Sequence, residues 1–313
     1  MVIHQSVPRN DTTNAERRIQ PLRPEDVSQL PLAWYHRHDH GEIRRLARNF
    51  PGRSMWQPDT GEFALIGPWR HRTDIVQLVE LSAQRAAVGL IESAAAAAGH
   101  LGADLMVIME NDERRRPSFY RAIDFEHLED VITMELDGPS VDAPVAGNLE
   151  FVPVQPETGH YDAIRGIDDL AFPWLWRNGP IEFASYIRMP DVRIFIGLLD
   201  GRPVSYVGLT LYNDWGHLDR IAVRPTAQGQ GVGAQTLAFA CRLMARSGAD
   251  SIALSTQGHN TQSRRLYERF GFVRKSTNDY RIYGRPLTDE SLSALLRRPP
   301  ETATPRSDED ALA

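Results

Sequence analysis

The feature that most restricts how this chain can fold is a repetition at domain distance. Gly102-Ala103-Asp104 opens an apolar run that reaches Met109, and Gly248-Ala249-Asp250 opens a second, over residues 251–256, 146 residues later. Ser118-Phe119-Tyr120-Arg121-Ala122-Ile123-Asp124-Phe125 follows the first run. Arg265-Leu266-Tyr267-Glu268-Arg269-Phe270-Gly271-Phe272 follows the second, its tyrosine 147 residues beyond Tyr120. Two pairs of segments that keep their order and spacing imply one fold used twice. A length of 313 residues, large for one core, agrees with that. The expected layout is a disordered start (1–16), a first domain (17–137), an aperiodic linker (138–148), a second domain (149–287) and a mobile polar tail (288–313), broken only by apolar residues within 292–296.

Within the first domain, residues 19–22, 63–66 and 74–81 read as strands, and an alanine-rich helix ends near Gly99. His36, His38 and His40 alternate, but Gly41 and the surrounding charges suit an exposed loop or helix start better than a metal site, and no metal is expected. In the second domain, 149–154 reads as a strand and 161–172 and 181–188 as helices. Trp174 and Trp176, between those helices, either line an apolar pocket or pack the seam between domains. Residues 192–199 and 204–212 are joined by Asp200-Gly201-Arg202-Pro203, a hairpin connection, so the sheet there is antiparallel. The sole cysteine, Cys241, excludes an internal disulfide, and its place on an apolar helical stripe predicts a buried thiol.

Chemistry concentrates in Gln228-Gly229-Gln230-Gly231-Val232-Gly233-Ala234. The stretch follows the apolar run 218–223 and opens a helix whose apolar residues, Ala234, Leu237, Ala238, Cys241, Met244 and Ala245, recur at three- and four-residue spacing. A strand, a glycine turn and a helix N-terminus form an anion cradle, because first-turn N–H groups lack intrahelical partners and the helix dipole adds positive potential. A phosphorylated ligand is expected. A nucleoside-triphosphate loop would need Lys then Ser or Thr where Ala234-Gln235 stand. A dinucleotide fingerprint is satisfied in spacing by Gly229, Gly231 and Ala234, but Asp250 lies at the wrong end of the next strand to hold a ribose, and the preceding strands are antiparallel.

Gln228-x-x-Gly231-x-Gly233 after Ile221-Ala222-Val223, with Asn260 and Leu266-Tyr267-Glu268-Arg269-Phe270-Gly271-Phe272 beyond the next strand, resembles the GCN5-related N-acetyltransferase (GNAT) superfamily. The paired layout is similar to mycothiol synthase-like proteins, which join two such domains and keep the working site in the second. The resemblance implies a mixed α/β fold of two tandem GNAT-like domains and an acetyl-CoA-dependent transfer to the primary amine of an unidentified small-molecule or peptide acceptor. It places the pantetheine arm along Ile221 and Val223. The pyrophosphate falls to Gln228 and the N–H groups of Gly229, Gln230, Gly231, Val232, Gly233 and Ala234, with Asn260 and Ser263 bordering the coenzyme. Tyr267 is the implied general acid, because a phenol stays protonated at neutral pH. Asp219, or His217 two residues before it, is the implied base. In the first domain the corresponding turn offers Ala83, Ala86 and Ala87, with Gly89 too late, so that copy is expected to be degenerate, its coenzyme site lost or weakened. A non-catalytic acyl-CoA-binding or sensing module is the alternative.

A net charge of −6 gives no basic field for nucleic acid or an anionic membrane, and neither is an expected partner. No apolar run approaches the roughly 20 residues that span a bilayer, and residues 1–14 are too polar for a signal peptide, so a cytoplasmic protein is expected. Monomer and homodimer both stay open.

Overall fold

The computed structural model describes residues 19–111, 116–140, 147–155 and 160–300; the start expected to be disordered lies outside them. The first half runs β1 (Gln20–Pro21), α1 (His40–Asn49), β2 (Met55–Gln57), β3 (Glu62–Pro68), β4 (Ile75–Ser82), α2 (Ala87–His100), β5 (Leu105–Glu110), α3 (Pro117–Ala122) and β6 (Glu126–Asp137). The second runs β7 (Glu150–Pro153), α4 (His160–Ala171), α5 (Pro180–Tyr186), β8 (Val192–Leu199), β9 (Arg202–Leu211), β10 (Trp215–Val223), α6 (Val232–Arg246), β11 (Ser251–Gln257), α7 (Thr261–Arg269), β12 (Val273–Arg274), β13 (Tyr280–Pro286) and α8 (Leu292–Leu295).

Local chemistry sets the element boundaries. A reciprocal box between Asp39 and Glu42 starts α1. Asp200 (φ 50°) and Gly201 (φ 74°) make the two-residue turn between β8 and β9, tighter than the four-residue connection expected, because Arg202 already pairs with Leu199. The buried alanines of α2, Ala94, Ala95 and Ala98, bring that helix close to the sheet. The alternating histidines go separate ways: His36 to Ser82, His38 to Glu80 and His40 to the carbonyl of Leu30.

The strands form one mixed sheet in the order β1-β2-β3-β4-β5-β13-β6-β11-β10-β9-β8-β7, with β12 also on β6. Pairing is antiparallel except for β4–β5 and β10–β11. At the centre the halves exchange strands. β13, from the second half, lies between β5 and β6 of the first; β6 pairs with β11 of the second over Val131↔Gln257 to Asp137↔Ser251. Division at 137 and 149 therefore does not part the structure, because each half's sheet is completed by the other's strand. Residues 141–146 of the expected linker lie outside the described residues.

Each half buries both faces of its sheet under helices. Ile43 and Trp56 belong to one first-half cluster and Leu90, Ile91 and Met106 to the other. Ile164, Phe183 and Ile196 lie on one face of the second half, and Leu237, Met244 and Leu254 on the opposite face. Cys241 is in the latter cluster, 4% exposed. A further cluster spans the seam and holds Trp69, Ile75, Val107, Trp174, Leu175, Trp176, Ile282 and Leu295. Trp174 and Trp176 are thus seam residues, and Trp176 also reaches a cavity wall. The tail reading needs correction for residues 288–300. Leu292, Leu295 and Leu296 share one helical side, and the seam buries Leu295 completely. Arg298 then bonds Asp104 (2.5 Å) and Glu290 (2.7 Å), and Arg177 donates to the carbonyls of Arg298 and Pro299. Residues 301–313 of the expected tail lie outside the described residues.

Candidate active site

The site begins where two parallel strands part. β10 and β11 pair from Trp215↔Ser251 to Leu218↔Leu254 and then diverge. The cause is a bulge in β10: against β9, Leu218 faces Leu209 and Arg220 faces Gly208, so Asp219 is the extra residue. A bulge re-aims side chains, and here Asp219 and Arg220 both reach the face covered by α4 and α5. Asp219 accepts from Tyr186 of α5, and Arg220 pairs with the fully buried Asp168 of α4 at 2.5 Å. Gly208 makes room, because a Cβ there would lie 2.7 Å from the Tyr186 hydroxyl.

Beyond the bulge, Gly229 (φ 77°) and Gly231 (φ 79°) turn the chain into α6 through left-handed backbone that side chains disfavour. The first helical bond is Gln235 N–H to Gly231 O. Among the described residues, the N–H groups of Gly229, Gln230, Gly231, Val232, Gly233 and Ala234 have no acceptor. The turn borders a cavity of about 770 Å³ whose walls bring together Ile221, Val223, Gln228, Gly229, Gly231, Gly233, Ala234, Asn260, Ser263 and Tyr267. Two expected residues do not line it: the Val232 side chain is buried in the core, and the Gln230 amide turns back to donate to the Thr226 carbonyl. Asn260 caps α7, its Oδ1 accepting from Ser263 N–H at 3.1 Å, which leaves its NH₂ for the cleft.

The first half repeats the splay with a different filling. β4 and β5 part after Leu78↔Ile108, beside a bulge at Val79. At the start of α2, however, the Glu62 carboxylate accepts from the N–H groups of Gln84 (3.0 Å), Arg85 (3.2 Å) and Ala86 (2.8 Å). Partial burial pulls the Glu62 pKa up, but those amides and the Arg85 charge outweigh it and hold it below its ordinary value. The amides that could cradle a phosphate are already occupied by the protein's own anion.

A smaller cavity of about 230 Å³ adjoins the large one and shares Ile221, Asn260, Ser263 and Tyr267 with it. Tyr267, 5% exposed, is thus at the junction, its pKa pushed up to about 12 by burial and held back in part by Ser263. His217 and Asp219 line the smaller cavity. Three donors occupy the Asp219 carboxylate: His217 Nδ1 (2.6 Å), Thr210 Oγ1 (2.6 Å) and the Tyr186 hydroxyl. Burial and then the Asp219 charge push the Tyr186 pKa far above its ordinary value, so it remains a donor. Nδ1–H donation to Asp219 leaves Nε2 of His217 as the available lone pair, without a partner among the described residues. Sequence reasoning missed Thr210, Tyr186 and Arg70, which reach this cavity region from β9, α5 and the first half. No local motif marks them.

Residues 161–272 match the Acetyltransferase (GNAT) family. No curated protein sequence matches the chain. Among solved structures, the chain is similar to a GCN5-related N-acetyltransferase from Sphaerobacter thermophilus (14% identity, 87% of this chain and 96% of that one, TM-score 0.60). It is also similar to a probable N-acyltransferase from Enterococcus faecalis V583 (10% identity, 86% and 72%, TM-score 0.62). A tandem GNAT protein from the clavulanic acid biosynthesis pathway shares the fold too (13% identity, 87% and 99%, TM-score 0.52). Residues 161–272 are thus similar to the GNAT acetyltransferase family, and the fold of the chain is similar to that of GCN5-related N-acetyltransferases, a tandem GNAT protein among them.

Proposed function

We propose that this protein transfers the acetyl group of acetyl-CoA to the primary amine of a small-molecule or peptide acceptor, with the working site in the second half. The observation that carries this reading is the row of unpaired amides from Gly229 to Ala234, opening on a cavity that continues past Tyr267 to His217. The amides and the α6 dipole hold the pyrophosphate, and the free edge of β10 beyond Leu218 takes the pantetheine arm as an added strand. His217 Nε2 takes the ammonium proton, directly or through one water, and Asp219 fixes the imidazole tautomer rather than acting as the base itself. The amine nitrogen then bonds to the thioester carbonyl carbon, the C–S bond breaks, Tyr267 donates its hydroxyl proton to the departing sulfur, and the proton that the new amide nitrogen sheds returns through water to the Tyr267 oxygen. Reference values of about 10 for a phenol and about 8.5 for a thiol favour the wrong direction. Desolvation raises both groups in the same cleft, so the sulfur also becomes a better proton acceptor than it is in water.

Calorimetric titration with acetyl-CoA, followed by a thiol-release assay over a panel of amines, tests the reading. One bound coenzyme per chain and amine-dependent release are expected. Binding with no release on any amine favours an acyl-CoA sensor, and no binding removes the cradle from the argument.

A further inference from the structure

The smaller cavity contains a guanidinium that nothing in the proposed chemistry uses. Arg70 belongs to the first half yet lines this cavity beside Trp176, His217 and Asp219. Its backbone is left-handed (φ 50°, ψ 44°), and so is that of His71 (φ 50°), a pair of conformations that side-chain-bearing residues adopt rarely and that surrounding structure must enforce. The enforcement is visible along the turn. Trp69 Nε1 donates to the Leu175 carbonyl at 2.7 Å, Arg70 Nη1 to Asn178 Oδ1 at 2.8 Å, His71 pairs with Glu182, and Arg72 donates to the Trp174 carbonyl. Four consecutive first-half residues are thus fastened to one second-half stretch, from Trp174 to Glu182 at the start of α5, and the fastening aims Arg70 into the cleft.

The charges around it are otherwise matched. Arg220 has Asp168, His217 has Asp219 and His71 has Glu182. Arg70 has no carboxylate within ion-pairing distance among the described residues, and its Nε is buried without a hydrogen-bond partner. Burial, with the Arg220 charge adding to it, pulls the Arg70 pKa down to about 10, which still leaves it protonated at neutral pH. Asn178 takes Nη1 alone, and a buried guanidinium whose remaining N–H groups are unfilled binds a planar carboxylate well, because the two shapes match and little water competes. One positive charge also suits a single negative charge better than a phosphate dianion.

We propose that Arg70 binds the carboxylate of the acceptor, so that the acceptor is a compact amino acid: its amine lies toward His217 and Tyr267, and its carboxylate on a residue lent by the first half. A cavity of about 230 Å³ admits a molecule of that kind. The inference rests on the N-acetyltransferase reading and gives it a substrate class.

The test uses the full chain with acetyl-CoA and matched acceptors: phenylalanine, phenylalaninamide and phenethylamine, then alanine, alaninamide and ethylamine. Coenzyme binding is measured first by calorimetry, so its absence counts against the proposed function itself. Given binding, the carboxylated member of each set is expected to give the highest kcat/KM. Arg70→Gln carries no greater backbone strain than arginine at the same φ. It should raise the KM for the amino acids by roughly 10- to 100-fold more than for their amides, the range expected for losing a charge-assisted bond. Arg70→Lys, which keeps charge but not the fork, should recover part of the preference. Preference for the amide or amine, no turnover of either amino acid by a coenzyme-binding protein, or an equal penalty from Arg70→Gln on all three acceptors overturns the proposal.

Discussion

Asp219 and His217 show how one hydrogen bond redistributes roles between neighbours. A carboxylate that already accepts from His217, Thr210 and Tyr186 is poorly placed to take a proton from a substrate, whereas the imidazole it orients has a lone pair facing the cavity. His217→Gln should therefore lower kcat/KM roughly 10²- to 10⁴-fold, the span of general acid–base contributions. Asp219→Asn should lower the rate less, and Tyr267→Phe should reduce kcat rather than coenzyme affinity. A larger loss from Asp219→Asn than from His217→Gln would return Asp219 to the role of base. Glu62 supplies a second residue-scale prediction. Its folded pKa lies below the ordinary 4.5, so its contribution to stability is present above that value and is lost as pH falls through the lowered one. Glu62→Gln should flatten the acid limb of a melting-temperature series below about pH 4.5 while leaving coenzyme stoichiometry at one per chain.

Among elements, the turn into α6 separates folding from binding. At Gly231 a Cβ would meet nothing within 4 Å, so its cost in the unliganded protein comes from the left-handed backbone alone, roughly 1–2 kcal/mol. Gly231→Ala should show that modest loss of stability in denaturant titration, and a loss of acetyl-CoA affinity beyond it, because the methyl group stands where the coenzyme approaches. Unchanged affinity would mean that the pyrophosphate is held elsewhere. Much of this element was legible in the sequence, since glycine spacing and a following apolar stripe are local signals. Tyr186 and Thr210 were not legible. A tyrosine on a short helix and a threonine on a strand carry no spacing signature, and only the bulge at Asp219 brings them to one carboxylate.

For the whole molecule, the exchanged strands make the halves interdependent. Without β13, the first half loses the strand between β5 and β6; without β6, the second loses the partner of β11. The pieces 1–140 and 147–313 are expected to be unstable alone and to associate when co-expressed, and the intact chain should melt in one transition. Two resolved calorimetric transitions would contradict that. Residues 288–300 act at the same scale. Leu295→Ala should cost about 2–5 kcal/mol, the range for truncating a fully buried leucine, and removing everything after Leu287 should cost more, because Arg298 and the Arg177 contacts go with it.

What the sequence by itself determined was whatever depends on neighbours along the chain: the doubled architecture, the antiparallel hairpin at Asp200-Gly201, the cradle at 228–234 and the inward tyrosine at 267. The repeat spacing could not reveal that the closing strands change places, since β6 and β13 have the same pattern whichever sheet they complete. Only the tertiary structure decided that exchange, the seam role of Trp174 and Trp176, the capture of the first cradle by Glu62, and the arrival of Arg70 in the other half's cleft. Each depends on contacts between residues far apart in the chain, where burial and pairing in space, rather than periodicity, set the outcome.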